Sequence, residues 1–190
     1  MPDVAEARRL AEGYFEIGNA YWGWFKEYCP FLDTLGYSFR HGSACHTDYA
    51  SPFATNVGFS QLERQYNGAG VRVQRELFGD GVVRWRDFLA TMPRLRTVFC
   101  IGKVESMRTI GKALDTTFSE AFPFGWTSKR SQTHRENDVY VADWRPADRR
   151  IELYWWPEYN SRPFLEFTPD NLDRFSRAFR SHLPRPSPHP

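Results

Sequence analysis

The chain has few cysteines and no obvious way to pair them. Cys29, Cys45 and Cys100 are the only three in 190 residues. An odd, scattered set among apolar neighbours gives no disulfide framework, and no secretory signal is recognised before them, so reduced thiols in a cytoplasmic protein are expected. Long hydrophobic runs are missing too. None approaches the roughly 20 residues that a membrane helix requires, so no membrane partner is expected. An excess of charge of either sign is nearly absent: the formal net charge is +2, too small to imply a polyanionic partner by itself. There is no phosphate-cradling Gly-rich loop, no dinucleotide fingerprint and no Gly-x-Ser-x-Gly elbow, so nucleotide-driven, dinucleotide-dependent and serine-hydrolase chemistry have no signature here.

Aromatic residues, in contrast, make up 17% of the chain. Tyr21, Trp22 and Trp24 stand early, Trp126 in the middle, and Tyr154, Trp155 and Trp156 late. Most such rings fill a core that is short of Leu and Ile; those near turns can stack on flat ligands such as bases. The positive charge is carried mainly by arginine and falls in three groups. Arg84, Arg86, Arg94, Arg96, Lys103 and Arg108 form the first; Lys129, Arg130 and Arg135 the second; Arg174, Arg177, Arg180 and Arg185 the third. Arginine suits bidentate phosphate contacts, and it serves a solvated face equally well.

Periodicity predicts helices over 4–12, 20–28, 58–67, 70–92 and 103–114. Pro30 kinks or restarts the early one and Gly36 stops it. The long helix is expected to break near Gly79-Asp80-Gly81. In its second half Val82, Val83, Trp85, Phe88 and Leu89 recur at helical spacing. Strands are expected around 44–49, at 96–102 (RTVFCIG, buried on both faces), at 139–144 and at 151–156, with 123–136 polar and turn-rich. A last helix begins at Thr168-Pro169, with Thr168 as N-cap. This order predicts a single α/β domain over residues 1–183, a three-layer αβα sandwich on a short, mostly parallel sheet. The proline-rich residues 184–190 are expected to be a disordered tail.

Ligands of such sheets bind outside the carboxyl ends of the strands. Three junctions qualify: SACHTDYASPFATN at 43–56, FCIGKV at 99–104 and YWWPEYNSRP at 154–163. The first offers Cys45, His46 and Asp48, suitable atoms for zinc. On a strand, however, Cys45 and His46 point to opposite faces, and His41 and His134, the candidates considered for completing a set, are framed by no paired-ligand motif, so the spacing argues against a metal. Gly102 before a helix can expose backbone N–H groups to a phosphate, or can simply serve the turn.

In order and content, four segments resemble the uracil-DNA glycosylase superfamily in its divergent, SMUG-like branches, over roughly residues 20–182. They are YWGWFKEYCPFLDTLGY, HTDYASPFAT, RTVFCIGKVESMRTIGKAL and LYWWPEYNSRP. The resemblance implies a DNA partner, no cofactor, and excision of a deaminated or modified base flipped into a pocket. It places Asp48, or in another register Asn56, where the base edge is read, with Phe53 stacking on the base. An Asp carboxylate only accepts hydrogen bonds, so it favours the amino group of cytosine over uracil O4. Gly102 and Lys103 would meet phosphate, and Pro157, Tyr159, Asn160, Ser161 and Arg162 would form the groove-entering loop. That loop ordinarily begins His-Pro-Ser; here it begins Trp156-Pro157-Glu158. Nothing before residue 20 resembles the family's first strand and its Gly- and Pro-containing loop. Either that element lies upstream or this member lacks it. Two readings stand: a DNA glycosylase, or a non-catalytic relative that keeps the sheet as a DNA-binding or protein-interaction domain. An unrelated small-molecule α/β enzyme is a third.

Overall fold

The structure is a computed structural model, and it describes residues 26–45, 70–157 and 163–183. The expected helices at 4–12 and 58–67, and nearly all of the strand expected around 44–49, lie outside the described residues. So do the loop 158–162 and the tail. The described elements are α1 (Cys29–Leu35), α2 (Gly70–Thr91), β1 (Thr97–Gly102), α3 (Val104–Ala113), β2 (Ser119–Thr127), β3 (His134–Trp144), β4 (Ile151–Pro157) and α4 (Pro169–His182), with 3-10 turns at Pro146–Asp148 and Pro163–Glu166.

The strands form one sheet in the order β1-β4-β3-β2. β1 runs parallel to β4, with Cys100 opposite Trp155 and Gly102 opposite Pro157. β3 runs antiparallel to β4, with Asp143 opposite Glu152. β2 and β3 are neighbours joined by residues 128–133, too short a link for a parallel crossover. The sheet is therefore mixed, where the order of predicted elements favoured a mostly parallel one. The cause is β2. Its stretch SEAFPFGWT buries Phe122, Phe124 and Trp126 in strict alternation. Pro123 and Gly125 between them read as turn residues in the sequence. A proline is compatible with an edge strand, and β2 is one.

The chain divides into two compact units, and β2 and β3 contribute residues to both. One comprises, among the described residues, 70–121 and 138–157. Its core joins Val82, Trp85 and Leu89 of α2, Cys100 of β1, Met107 and Ile110 of α3, and Ile151, Leu153 and Trp155 of β4. Val82, Trp85 and Leu89 recur on one helical face. Val83 and Phe88, predicted to share it, are 42% and 48% exposed. β4 is the strand buried on both faces, because it lies between β1 and β3; β1 buries only Cys100 fully.

α2 runs unbroken through Gly79-Asp80-Gly81. Its last turn is held from another strand connection. The Arg149 side chain donates to the carbonyls of Leu89, Ala90 and Met92. These include orphan acceptors of a helix end, where a cation is also favoured by the helix dipole. Arg149 is delivered by a tight turn in which Ala147 and Asp148 both take positive φ, 49° and 65°. That pattern is a type I′ hairpin turn, usually built from Asn-Gly.

The other unit contains, among the described residues, 26–45, 122–137 and 163–183. It is an aromatic core. Phe124 meets Phe175 edge-on at 5.0 Å, and Phe31 lies 5.1 Å from Phe164 and 5.4 Å from Phe179. α1 has Pro30 in its first turn and ends at Gly36, whose φ of 81° is the left-handed cap, as the sequence predicts. α4 begins as predicted too: Thr168 accepts a hydrogen bond from Asn171 N at 3.1 Å. α4 also guards the edge of the sheet. Asn171 Nδ2 donates to Thr127 O at 3.0 Å, and Arg174 donates to Gly125 O at 3.2 Å. Two open edge acceptors are thereby occupied.

Two glycine substitutions separate flexibility from close approach. A Cβ at Gly79 meets nothing within 4 Å, whereas one at Gly111 meets Thr116 O at 2.9 Å. Gly79→Ala is expected to raise stability by about 0.5–1 kcal/mol, and Gly111→Ala to lower it by about 1–3 kcal/mol. Urea midpoints moving in the same direction for both variants contradict this.

Candidate functional site

Parallel strands end at the same side of a sheet. The β1–β4 register therefore puts two of the three predicted junctions together: Gly102 stands directly opposite Pro157. The next residue, Lys103, is the N-cap of α3 in extended conformation and has no side-chain cap. Its carbonyl accepts from Ser106 N at 3.0 Å and Met107 N at 3.2 Å, which starts the helix. The Lys103 side chain is exposed and makes no ion pair among the described residues. Glu105, in the first turn, is exposed on the same helix end and partly offsets the positive field.

Gly102 does not have positive φ, so its conformation does not demand glycine. Its carbonyl is engaged by the Trp155 indole, Nε1 to O at 3.0 Å. That bond fixes the end of β1 to the middle of β4. Trp156, where the resembled family has its histidine, is a fully buried residue of β4 and not part of a loop. Asp48, Phe53 and Asn56, and with them Tyr159, Asn160, Ser161 and Arg162, lie outside the described residues. Gly102, Lys103 and Pro157 are the predicted site residues that the structure brings together. Among the described residues, no cluster of three or more His, Cys, Asp or Glu could hold a metal ion.

One polar cluster escaped sequence reasoning. Glu152, 6% exposed within β4, faces away from the core formed by Ile151, Leu153 and Trp155. Tyr154 OH donates to its Oε2 at 2.9 Å, and Arg150 meets its Oε1 at 2.9 Å. Arg150 also bonds Asp143, directly across the β3–β4 ladder, at 3.1 Å. One guanidinium thus bridges two like charges that would otherwise repel across the strands. The signal was present in R-I-E-L-Y, where Arg150, Glu152 and Tyr154 alternate onto one face. Each acceptor has a partner, so the cluster satisfies a buried carboxylate and leaves no open valence for a ligand.

The basic groups separate on inspection. Arg86 donates to Ala113 O at the end of α3 and pairs with Asp87. Arg96 donates to Pro93 O and Leu95 O. Arg174 serves the β2 edge, and Arg177 pairs with Asp173 at 2.8 Å. These are structural or locally neutralised charges.

All three cysteines are free thiols. Burial alone pushes the Cys100 thiol up to about 12. Burial first, and then the bond to Glu152, push the Tyr154 phenol above its ordinary value of 10. Both groups stay protonated when folded and ionise sooner when unfolded. Their stabilisation is complete below pH 9 and is lost as pH rises through the folded values. Chemical denaturation should therefore give flat stability from neutrality to about pH 9 and a decline above it. Tyr154→Phe should shallow that decline above pH 10 while costing about 1–2 kcal/mol at neutrality, through the lost bond to a carboxylate. Iodoacetamide should label the exposed Cys45 in the native protein and Cys100 only after unfolding. Native labelling of Cys100 would contradict its place in the core.

No protein-family model matches the chain, and neither the curated proteins nor the solved structures include one significantly similar to it.

Proposed function

We propose that this chain is a DNA-glycosylase-like protein that meets duplex DNA at the carboxyl ends of β1 and β4 and takes up a deaminated or modified base there. The observation that carries this is the parallel register of β1 and β4, which sets Gly102, the residue before Lys103, opposite Pro157. In this reading the fold is the three-layer αβα sandwich of the resemblance. The burial of β4 on both faces supports that arrangement. Asp48 or Asn56 reads the base, Phe53 stacks on it, and Gly102 and Lys103 contact phosphate. Tyr159, Asn160, Ser161 and Arg162 enter the groove. The reaction is N-glycosidic hydrolysis: water adds to the sugar C1′, and the base leaves with the bonding electrons and gains a proton.

A second reading has specific support. The residue in place of the family's histidine is a buried tryptophan, and the sheet is mixed. Loss of a donor to the leaving base costs on the order of a hundredfold or more. A relative that binds DNA or a protein without cleaving a glycosidic bond is consistent with both facts.

Single-turnover base release separates the two. Duplexes carrying uracil, hypoxanthine, xanthine or a mismatched cytosine would be compared, with Asp48→Ala and Asn56→Ala alongside. The glycosylase reading expects release from at least one duplex and its loss, by at least about a hundredfold, in one variant. Salt-sensitive binding without release from any duplex would support the non-catalytic relative and overturn the enzyme.

A further inference from the structure

We infer that the tip of the β2–β3 hairpin is a separate contact for the phosphodiester backbone of duplex nucleic acid, made by Lys129 and Arg130. Residues 129–134, Lys-Arg-Ser-Gln-Thr-His, are all exposed. Neither Lys129 nor Arg130 makes an ion pair among the described residues. The adjoining acidic residue, Glu166, is occupied by Arg135 at 3.5 Å. The tip thus carries two uncompensated cations, unlike Arg86 and Arg177, each of which has a carboxylate partner.

The turn that carries them is held from several directions. Ser128, fully buried, donates its N–H to Thr133 O at 3.0 Å and accepts from Gln132 N at 2.9 Å. Its Oγ accepts from Arg130 N at 3.3 Å and Ser131 N at 3.2 Å. Lys129 N donates to Glu166 O at 2.9 Å, which ties the turn to the segment before α4. Gln132 closes it in the left-handed region, with φ of 55°. A fixed backbone displays its charges with less ordering cost on binding.

The chemistry selects the partner. The tip has hydroxyl, amide, imidazole and guanidinium donors and no exposed apolar residue. An anionic membrane surface is bound through apolar insertion as well as charge, and the tip has nothing to insert. The one exposed ring of the tip is the His134 imidazole, which lies against Gly125, and Trp126 of β2 is buried, so the tip offers no row of rings for stacking. Backbone phosphates of a duplex need neither, and the contact is sequence-independent. The inference does not depend on base release, because it uses elements other than the carboxyl ends of β1 and β4.

The test is fluorescence anisotropy with a labelled, undamaged duplex over a salt series, for the full chain and the Lys129→Ala/Arg130→Ala double variant. Each lost phosphate contact lowers the salt slope by roughly 0.9, so a fall of about 1.8 is expected, with roughly tenfold or more weaker binding near 0.1 M salt. The urea midpoint should not change, because both side chains are exposed. Lys129→Arg should keep the slope. An unchanged slope in the double variant overturns the inference. So does a lack of binding by the unaltered chain, or equal binding to phosphatidylserine-containing vesicles. Base release, measured separately, decides the glycosylase reading whichever way this result falls.

Discussion

The constraint on which the described structure turns is β4, a strand buried on both faces that nevertheless carries a carboxylate. Every residue of IELYWW is buried. Its backbone groups find partners because β1 and β3 flank it, one parallel and one antiparallel. Its odd-numbered side chains take the face covered by α2 and α3. Its even-numbered ones include Glu152, a buried carboxylate whose oxygens need hydrogen-bond partners there. Tyr154 and Arg150 supply the missing partners, and Arg150 at the same time neutralises Asp143 on the next strand. Removing one member would strand a charge, so the pair is a condition of the strand's burial more than a source of net stability.

The same economy appears where the elements end. At the end of α2, Arg149 meets the carbonyls of Leu89, Ala90 and Met92, and it is held by a turn that puts an alanine and an aspartate in the left-handed region. Such residues cost roughly 1 kcal/mol each relative to glycine, and the three carbonyls offset that cost. At the far side of the sheet, β2 is an edge with Pro123 in it, and α4 covers its free carbonyls through Asn171 and Arg174. An uncovered edge of this kind invites pairing with another chain.

What the sequence made legible follows from where a residue's signal is local. Thr168-Pro169, Gly36 and the β-branched run of β1 act through their own neighbours, and the elements they predict are present. The α2 prediction failed at Gly79-Asp80-Gly81 because glycine propensity costs only about 1 kcal/mol per residue, which the packing of Val82, Trp85 and Leu89 outweighs. β2 was missed for the opposite reason. Pro123 and Gly125 carry strong turn signals, and only the sheet order shows that an edge strand tolerates them. Reading β2 as a loop leaves out one antiparallel neighbour, and the other antiparallel pair, β3 with β4, lies across the short turn at 145–150. Of the candidate site, the placement of Gly102 and Pro157 at strand-to-loop junctions was expected from the sequence. The register that joins them was not, because register is set by which strands neighbour each other.

Burial of β4 also bears on what chemistry the strand ends can do. In the proposed glycosylase reading, a group that stabilises the leaving base has to reach the mouth of the site, whereas Trp156 is a fully buried residue of β4. On that reading the donor comes from after Pro157, where Tyr159, Asn160 and Arg162 are candidates in the sequence. The parallel register sets Pro157 itself opposite Gly102. The Trp155–Gly102 bond keeps the two strand ends from sliding apart. Under the proposed reading, the two tasks fall to different parts of the junction: phosphate contact to Gly102 and Lys103 at the sheet, and base chemistry to side chains after Pro157 in the sequence. Changes after Pro157 would then remove the reaction and leave the contact with a nucleic-acid backbone, which is the arrangement expected of the non-catalytic relative.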